Sequence, residues 1–115
     1  MKTGFGWIEI EGSTYEKDVV LHADGSVTKR KKKLSKPLKG EYGHTPLSEA
    51  ELGFIDDERP DAVFVGTGQD GALPITPEAK TILDHYKAEV GPTPGIIDRM
   101  KKARGKKVAI LHVTC

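Results

Sequence analysis

The sequence predicts an α/β domain built on a mixed sheet, and three observations lead there. The first third alternates apolar and polar residues in short runs divided by glycine turns. Two later apolar runs, residues 61–65 and 108–113, have the length of buried strands. Between them lie two segments that open with Thr-Pro and carry apolar residues at helical spacing. Strands followed by helices and further strands are the pattern of an α/β architecture. With 115 residues, 37% of them hydrophobic, the chain has material for one domain.

In chain order, Phe5 and Trp7, then Ile8 and Ile10 alternating with Glu9 and Glu11, give the period of a half-buried strand. Trp7 is expected to pack on a sheet face. Gly12-Ser13 reads as a turn and Thr14-Tyr15 as the start of a return strand. Residues 18–22 hold Val19, Val20 and Leu21, and Asp24-Gly25 is a two-residue hairpin signal. The return strand is expected from Val27 through the lysine run to Lys33, with residues 35–46 a loop. Ser48 and Glu51 stand as S-x-x-E with Leu47 and Leu52 around them, a capping box with a hydrophobic staple. The predicted helix ends near Glu58, because Pro60 turns Arg59 away from helical angles.

The strand at 61–65 leads into a glycine-rich turn at 66–71. Thr76 and Pro77 open the second helix as cap and first residue. Its apolar positions are Ala79, Ile82, Leu83, Tyr86 and Val90, and Gly91 stops the helix or a short extended piece after it. Thr93-Pro94 repeats the cap-and-proline device for a third helix carrying Ile96, Ile97 and Met100, closed by Gly105.

Charge and cysteine content narrow the function classes. Eighteen Lys and Arg against 17 Asp and Glu leave a net charge of +1, which excludes a globally basic nucleic-acid binder or an acidic tail protein. The one cysteine, Cys115, cannot form an intrachain disulfide, so nothing argues for secretion. The N-terminus shows no signal-peptide core and no run approaches the ~20 residues of a membrane span. A cytoplasmic protein without a membrane partner is the expectation.

Gly66-Thr67-Gly68-Gln69-Asp70-Gly71 matches G-x-G-x-x-G literally. Pro74 and Pro77 push the following helix downstream, and no acid-terminated strand lies about 20 residues on, so dinucleotide binding does not fit. An anion or small ligand held by turn amides remains open, beside a plain glycine turn. Lys29, Arg30, Lys31, Lys32, Lys33, Lys36 and Lys39 form one basic run, and Arg99, Lys101, Lys102, Arg104, Lys106 and Lys107 another. No aromatic residue is interleaved with either to stack a base, so nucleic acid is not the expected partner. Solvated edges, or docking of an acidic partner or second copy, fit better. The acidic stretch from Glu41 to Asp61 would suit such a homodimer. The four histidines lack ligand spacing, so no metal site and no cofactor is expected. His44, beside Thr45-Pro46, is placed to line a cleft or bind a carbonyl. In an extended ending His112 and Thr114 share one face and Val113 and Cys115 the other, which disfavours a local His–Cys pair.

A family likeness runs through Phe5-Gly6-x-Ile8-x-Ile10-x-Gly12-x-x-Tyr15-x-x-Asp18-Val19-Val20, His44 before Leu47-Ser48-x-x-Glu51-Leu52, Gly66-Thr67-Gly68-x-x-Gly71-Ala72-Leu73, Pro92-Thr93-Pro94 and the terminal His112-Val113-Thr114-Cys115. In this order the set resembles the domain of unknown function 498 family. That family includes an adipogenesis-associated domain protein and, more distantly, respiratory complex I assembly factor three. The resemblance implies a single three-layer α/β domain over residues 1–115, with a central mixed sheet, flanking helices and an N-terminal β-hairpin layer. It implies no established enzyme activity, and roles in assembly or regulation exerted through other proteins. It suggests a pocket comprising Gly66, Thr67, Gly68, Thr93, His112 and Cys115. No complete nucleophile–base set is legible, so a non-enzymatic protein-binding or assembly module is the first expectation. Small-molecule or anion binding at the Gly66–Gly71 turn, with weak enzyme activity as its extension, is the alternative.

Overall fold

The computed structural model describes residues 1–115. Its N-terminal layer is an antiparallel three-stranded sheet, β1 (Lys2–Gly4), β2 (Trp7–Ile10) and β3 (Ser13–Tyr15), in that order. The central sheet has five strands in the order β5-β4-β8-β6-β7. They are β4 (Val19–Leu21), β5 (Val27–Lys29), β6 (Ala62–Thr67), β7 (Glu89–Gly91) and β8 (Lys107–His112). β6 runs parallel to both β7 and β8, whereas β4 is antiparallel to β8 and β5. The sheet is therefore mixed, as the sequence pattern predicts.

Strand periodicity sorts the core onto two faces. Val63, Val65, Val108, Ile110 and Val20 join Leu47, Leu52, Ile55, Ala79 and Leu83 on one side. Phe64, Ala109, Leu111 and Val19 join Ile8, Ile10, Ile96, Ile97 and Met100 on the other. The first face is covered by helices α2 (Phe54–Glu58) and α3 (Pro77–His85). The second is covered by α4 (Thr93–Lys102) and the N-terminal sheet. Three layers result. No helix is long and apolar enough to cross a membrane.

Several local expectations change. The lysine run does not continue as a strand: β5 ends at Lys29, Arg30 turns inward, and 32–38 form two 3-10 turns leading into the short α1 (Lys39–Tyr42). Ser48 and Glu51 do not make a capping box. The Ser48 hydroxyl accepts no cap bond, and Glu51 is instead drawn to Arg30. The segment is a 3-10 turn at 49–51, broken before α2 begins. The Thr76 cap holds, its Oγ1 accepting from the Ala79 N–H at 3.1 Å. Thr93 is not a cap: Pro92 occupies that position and the Thr93 hydroxyl points elsewhere. Val90 lies in β7 rather than in α3, exposed on an edge strand. Trp7 is only half-covered, lying over the Gly4 backbone where any Cβ would meet its indole at 2.6 Å.

Candidate functional site

The carboxyl ends of β6 and β8 lie side by side, with Thr67 opposite His112. The chain beyond each strand is tied to the other. The Gln69 N–H donates to the Thr114 carbonyl at 2.7 Å, and the Asp70 and Ala72 N–H groups donate to the main-chain oxygen of Cys115 at 3.1 and 2.9 Å. Gly68 is where the two exits cross. Its φ is +101°, and an added Cβ would sit 2.3 Å from the Cys115 carbonyl carbon and 2.8 Å from His112 Cδ2. Thr93, fully buried, bridges the crossing: its Oγ1 accepts from the Gly68 N–H at 3.0 Å and donates to the His112 carbonyl at 2.6 Å. Gly66 leaves room for that hydroxyl, since a Cβ there would meet Thr93 Oγ1 at 2.6 Å.

The six residues expected to form a pocket are thus brought together, but they do different things. Gly66, Thr67, Gly68 and Thr93 are framework, with Thr67 and Thr93 buried. They do not line the adjacent cleft, because the Thr93 hydroxyl and the Gly68 amide satisfy each other. His112 and Cys115 do line it. The cleft has a volume of about 150 Å³ and is floored by Ala72, Leu73 and Pro74. Lys32, Lys39, His44, Thr45, His112 and Thr114 form its polar side, and no carboxylate side chain lines it. A small cleft with two lysines and two histidines among its lining residues and no Asp or Glu suits an anion of a few heavy atoms.

A buried ionic network holds the walls. Arg30, only 2% exposed, donates from Nε and Nη2 to the two oxygens of Glu51 at 2.7 and 2.9 Å, from Nη1 to Asp18 Oδ2 at 3.0 Å, and from Nη2 to the Pro46 carbonyl at 3.0 Å. The Ser35 hydroxyl also donates to Glu51 and hydrogen-bonds Ser48. Leu47 then pairs with the 74–76 segment through the Pro74 carbonyl and the Thr76 N–H. These bonds fix the His44–Pro46 loop opposite the cleft floor. Burial would by itself pull a proton off Arg30, but the hydrogen bonds and charges of Glu51, then Asp18, outweigh it and raise its pKa.

Asp18 reaches the other wall. It accepts from the Val113 N–H at 2.9 Å and pairs with His112 Nδ1 at 2.8 Å. Burial would raise its pKa, yet the hydrogen bond and charge of His112, the Val113 amide and Arg30 together hold it below the ordinary 3.8. A carboxylate only accepts, so Nδ1 carries the proton and Nε2 faces Thr114 Oγ1 at 3.2 Å. His22 is not available to this cleft: its nitrogens bind Glu58 at 2.6 Å and Thr28 at 2.7 Å, clamping the β4–β5 hairpin to α2. No group of three or more His, Cys, Asp and Glu side chains is gathered as a metal site.

Lys32 and Lys39, which line the cleft, and Asp18, which holds His112 from behind it, are residues the sequence does not single out, because each reaches its place only through the fold. His44 and the His112–Cys115 ending carry the visible signal.

Comparison with known proteins places the architecture. No family model matches the chain, and no curated protein matches it. The crystal structure of the conserved hypothetical protein PH1505 from Pyrococcus horikoshii OT3 superposes with a TM-score of 0.86 at 29% identity, covering 100% of this chain and 98% of that one. A protein from Bordetella parapertussis is similar with a TM-score of 0.54 at 19% identity over 97% of this chain and 92% of its own, a likeness of fold alone. The solved protein MT938 superposes with a TM-score of 0.83 over 100% of this chain and 96% of its own. At 34% identity over that span, the chain belongs to the same family as MT938.

Proposed function

We propose that this protein binds a small anionic ligand in the cleft beside the carboxyl ends of β6 and β8. One observation carries the reading: Lys32, Lys39, His44 and His112 converge on one small cavity with no carboxylate side chain in its lining. The place also accords with the general preference of α/β folds for ligands at the carboxyl ends of parallel strands. The Gly66–Gly71 turn supports the cleft instead of lining it, since its amides are spent on Thr93, Thr114 and Cys115. A solution titration with inorganic phosphate and with succinate, at constant ionic strength, tests it. For a millimolar site, 20 mM ligand stabilises the fold by about 1.8 kcal/mol, read as a rise in Tm, and Lys32→Ala with Lys39→Ala removes that rise. Equal Tm in phosphate, succinate and chloride, with no amide shifts at the cleft, would overturn the reading.

A second reading is a protein-binding or assembly module of the domain of unknown function 498 type, cytoplasmic and able to pair with a second copy. What favours it is an apolar tip, Phe5 at 64% exposure beside the half-covered Trp7, and an exposed Leu34 at 45% set among lysines. Phe5→Ser should then abolish recovery of a discrete partner, or a concentration-dependent dimer, that the wild-type chain retains.

A further inference from the structure

We infer that the Asp18–His112 pair is an acid–base group serving the cleft, and that the cleft hydrolyses small esters carrying an anionic group; this rests on the anion-binding reading above. Thr114 Oγ1, the His112 imidazole and the Asp18 carboxylate form a hydrogen-bonded series at 3.2 and 2.8 Å. Hydroxyl, imidazole and carboxylate in that order make up a base oriented by a third group. Asp18 is itself held by Arg30 and the Val113 amide, so the ring cannot turn without breaking a buried network. The outer nitrogen is different. Its one protein partner is the hydroxyl of exposed Thr114, which can rotate away and leave the position to water. A histidine used only as a brace has fixed partners on both nitrogens, as His22 does between Glu58 and Thr28.

The step balances with water alone. The substrate's anionic group sits on Lys32 and Lys39. Nε2 takes a proton from a water whose oxygen bonds the ester carbonyl carbon, and the carbonyl π pair moves onto its oxygen. When that pair returns, the C–O bond to the alcohol breaks. The departing oxygen keeps the bond pair and takes the proton back from Nε2. One ester and one water become one carboxylic acid and one alcohol, with Asp18 ionised throughout to stabilise the imidazolium.

Release of nitrophenolate from 4-nitrophenyl hemisuccinate and from uncharged 4-nitrophenyl acetate provides the test. The wild-type chain should turn over the hemisuccinate in preference to the acetate, and Lys32→Ala with Lys39→Ala should erase that preference. His112→Gln should lower hemisuccinate turnover about 100-fold or more, acting on kcat more than on KM, with circular dichroism unchanged. His112→Ala should regain turnover when imidazole is added, a rescue that a bracing role would not permit. Succinate binding without turnover above the His112→Gln level, or no imidazole rescue in a folded His112→Ala chain, would overturn this inference and leave the anion site standing. Absence of succinate binding in the wild type would overturn both.

Discussion

Replacing Arg30 with methionine removes the only arginine from a buried cluster containing the carboxylates of Asp18 and Glu51. Methionine keeps much of the apolar stem, so the loss is electrostatic and polar more than steric. Four hydrogen bonds disappear: two to Glu51, one to Asp18 and one to the Pro46 carbonyl. Truncating one partner of a buried ion pair costs about 3–5 kcal/mol, because the other charge stays buried without compensation. The Pro46 carbonyl adds to this but is not independent of it, so about 4 kcal/mol is the reasoned figure. Against a total of about 5–15 kcal/mol for a domain, the variant folds with little margin.

Urea unfolding at pH 7 reads the effect. With a slope of about 2 kcal/mol/M, the midpoint should fall by about 2 M. Adding Glu51→Gln should recover part of the loss, since one uncompensated buried charge goes with it. The deficit should also narrow toward acid pH, where Asp18 is freed from the guanidinium that helps depress its pKa and takes up a proton more readily than in the wild type. A loss below 1 kcal/mol at pH 7, or a double variant no better than the single, would refute the argument that this network holds the cleft walls.

Other outcomes follow from the same geometry. Asp18 titrates below its ordinary value in the fold, so its contribution is complete above about pH 5 and drains as pH falls through the depressed value. Asp18→Asn should flatten that acid limb in unfolding curves taken between pH 6 and 2.5. Thr93→Val removes the hydroxyl between the Gly68 N–H and the His112 carbonyl. Leaving those buried groups unpaired should cost about 1–3 kcal/mol in urea unfolding and weaken phosphate binding. Gly68→Ala places a methyl against the Cys115 backbone at a φ of +101°, and should cost about 1–3 kcal/mol while shifting the amide signals of residues 112–115.

Much of the fold can be read from residue order. Alternation at Trp7–Ile10, the apolar runs of β6 and β8, and the Thr76-Pro77 start of α3 are local signals, satisfied within a few residues of themselves. Where a side chain had a choice of partners, local pattern failed. Ser48 and Glu51 are spaced for a capping box, yet a carboxylate gains more from a buried guanidinium than from a backbone amide, and Glu51 turned to Arg30. Arg30 looked like one cation in a solvated lysine run; burial among Asp18, Glu51 and Pro46 is what ends β5 there and brings Lys32 and Lys39 to the cleft. Thr93 looked like a cap and became the bridge between two strand exits.

The sequence by itself determined the apolar strands β2, β4, β6 and β8, the two longer helices and the cleft-side place of His44, because those rest on periodicity and residue chemistry, whereas the suspicion attached to His112 and Cys115 came from the family resemblance. Only the tertiary structure decided that Asp18 meets His112 across 94 positions of chain, and that the lysines face the same cavity. Charge pairing and burial depend on distance in space, and nothing in the spacing of residues along the chain encodes which distant partner relieves the cost of desolvation.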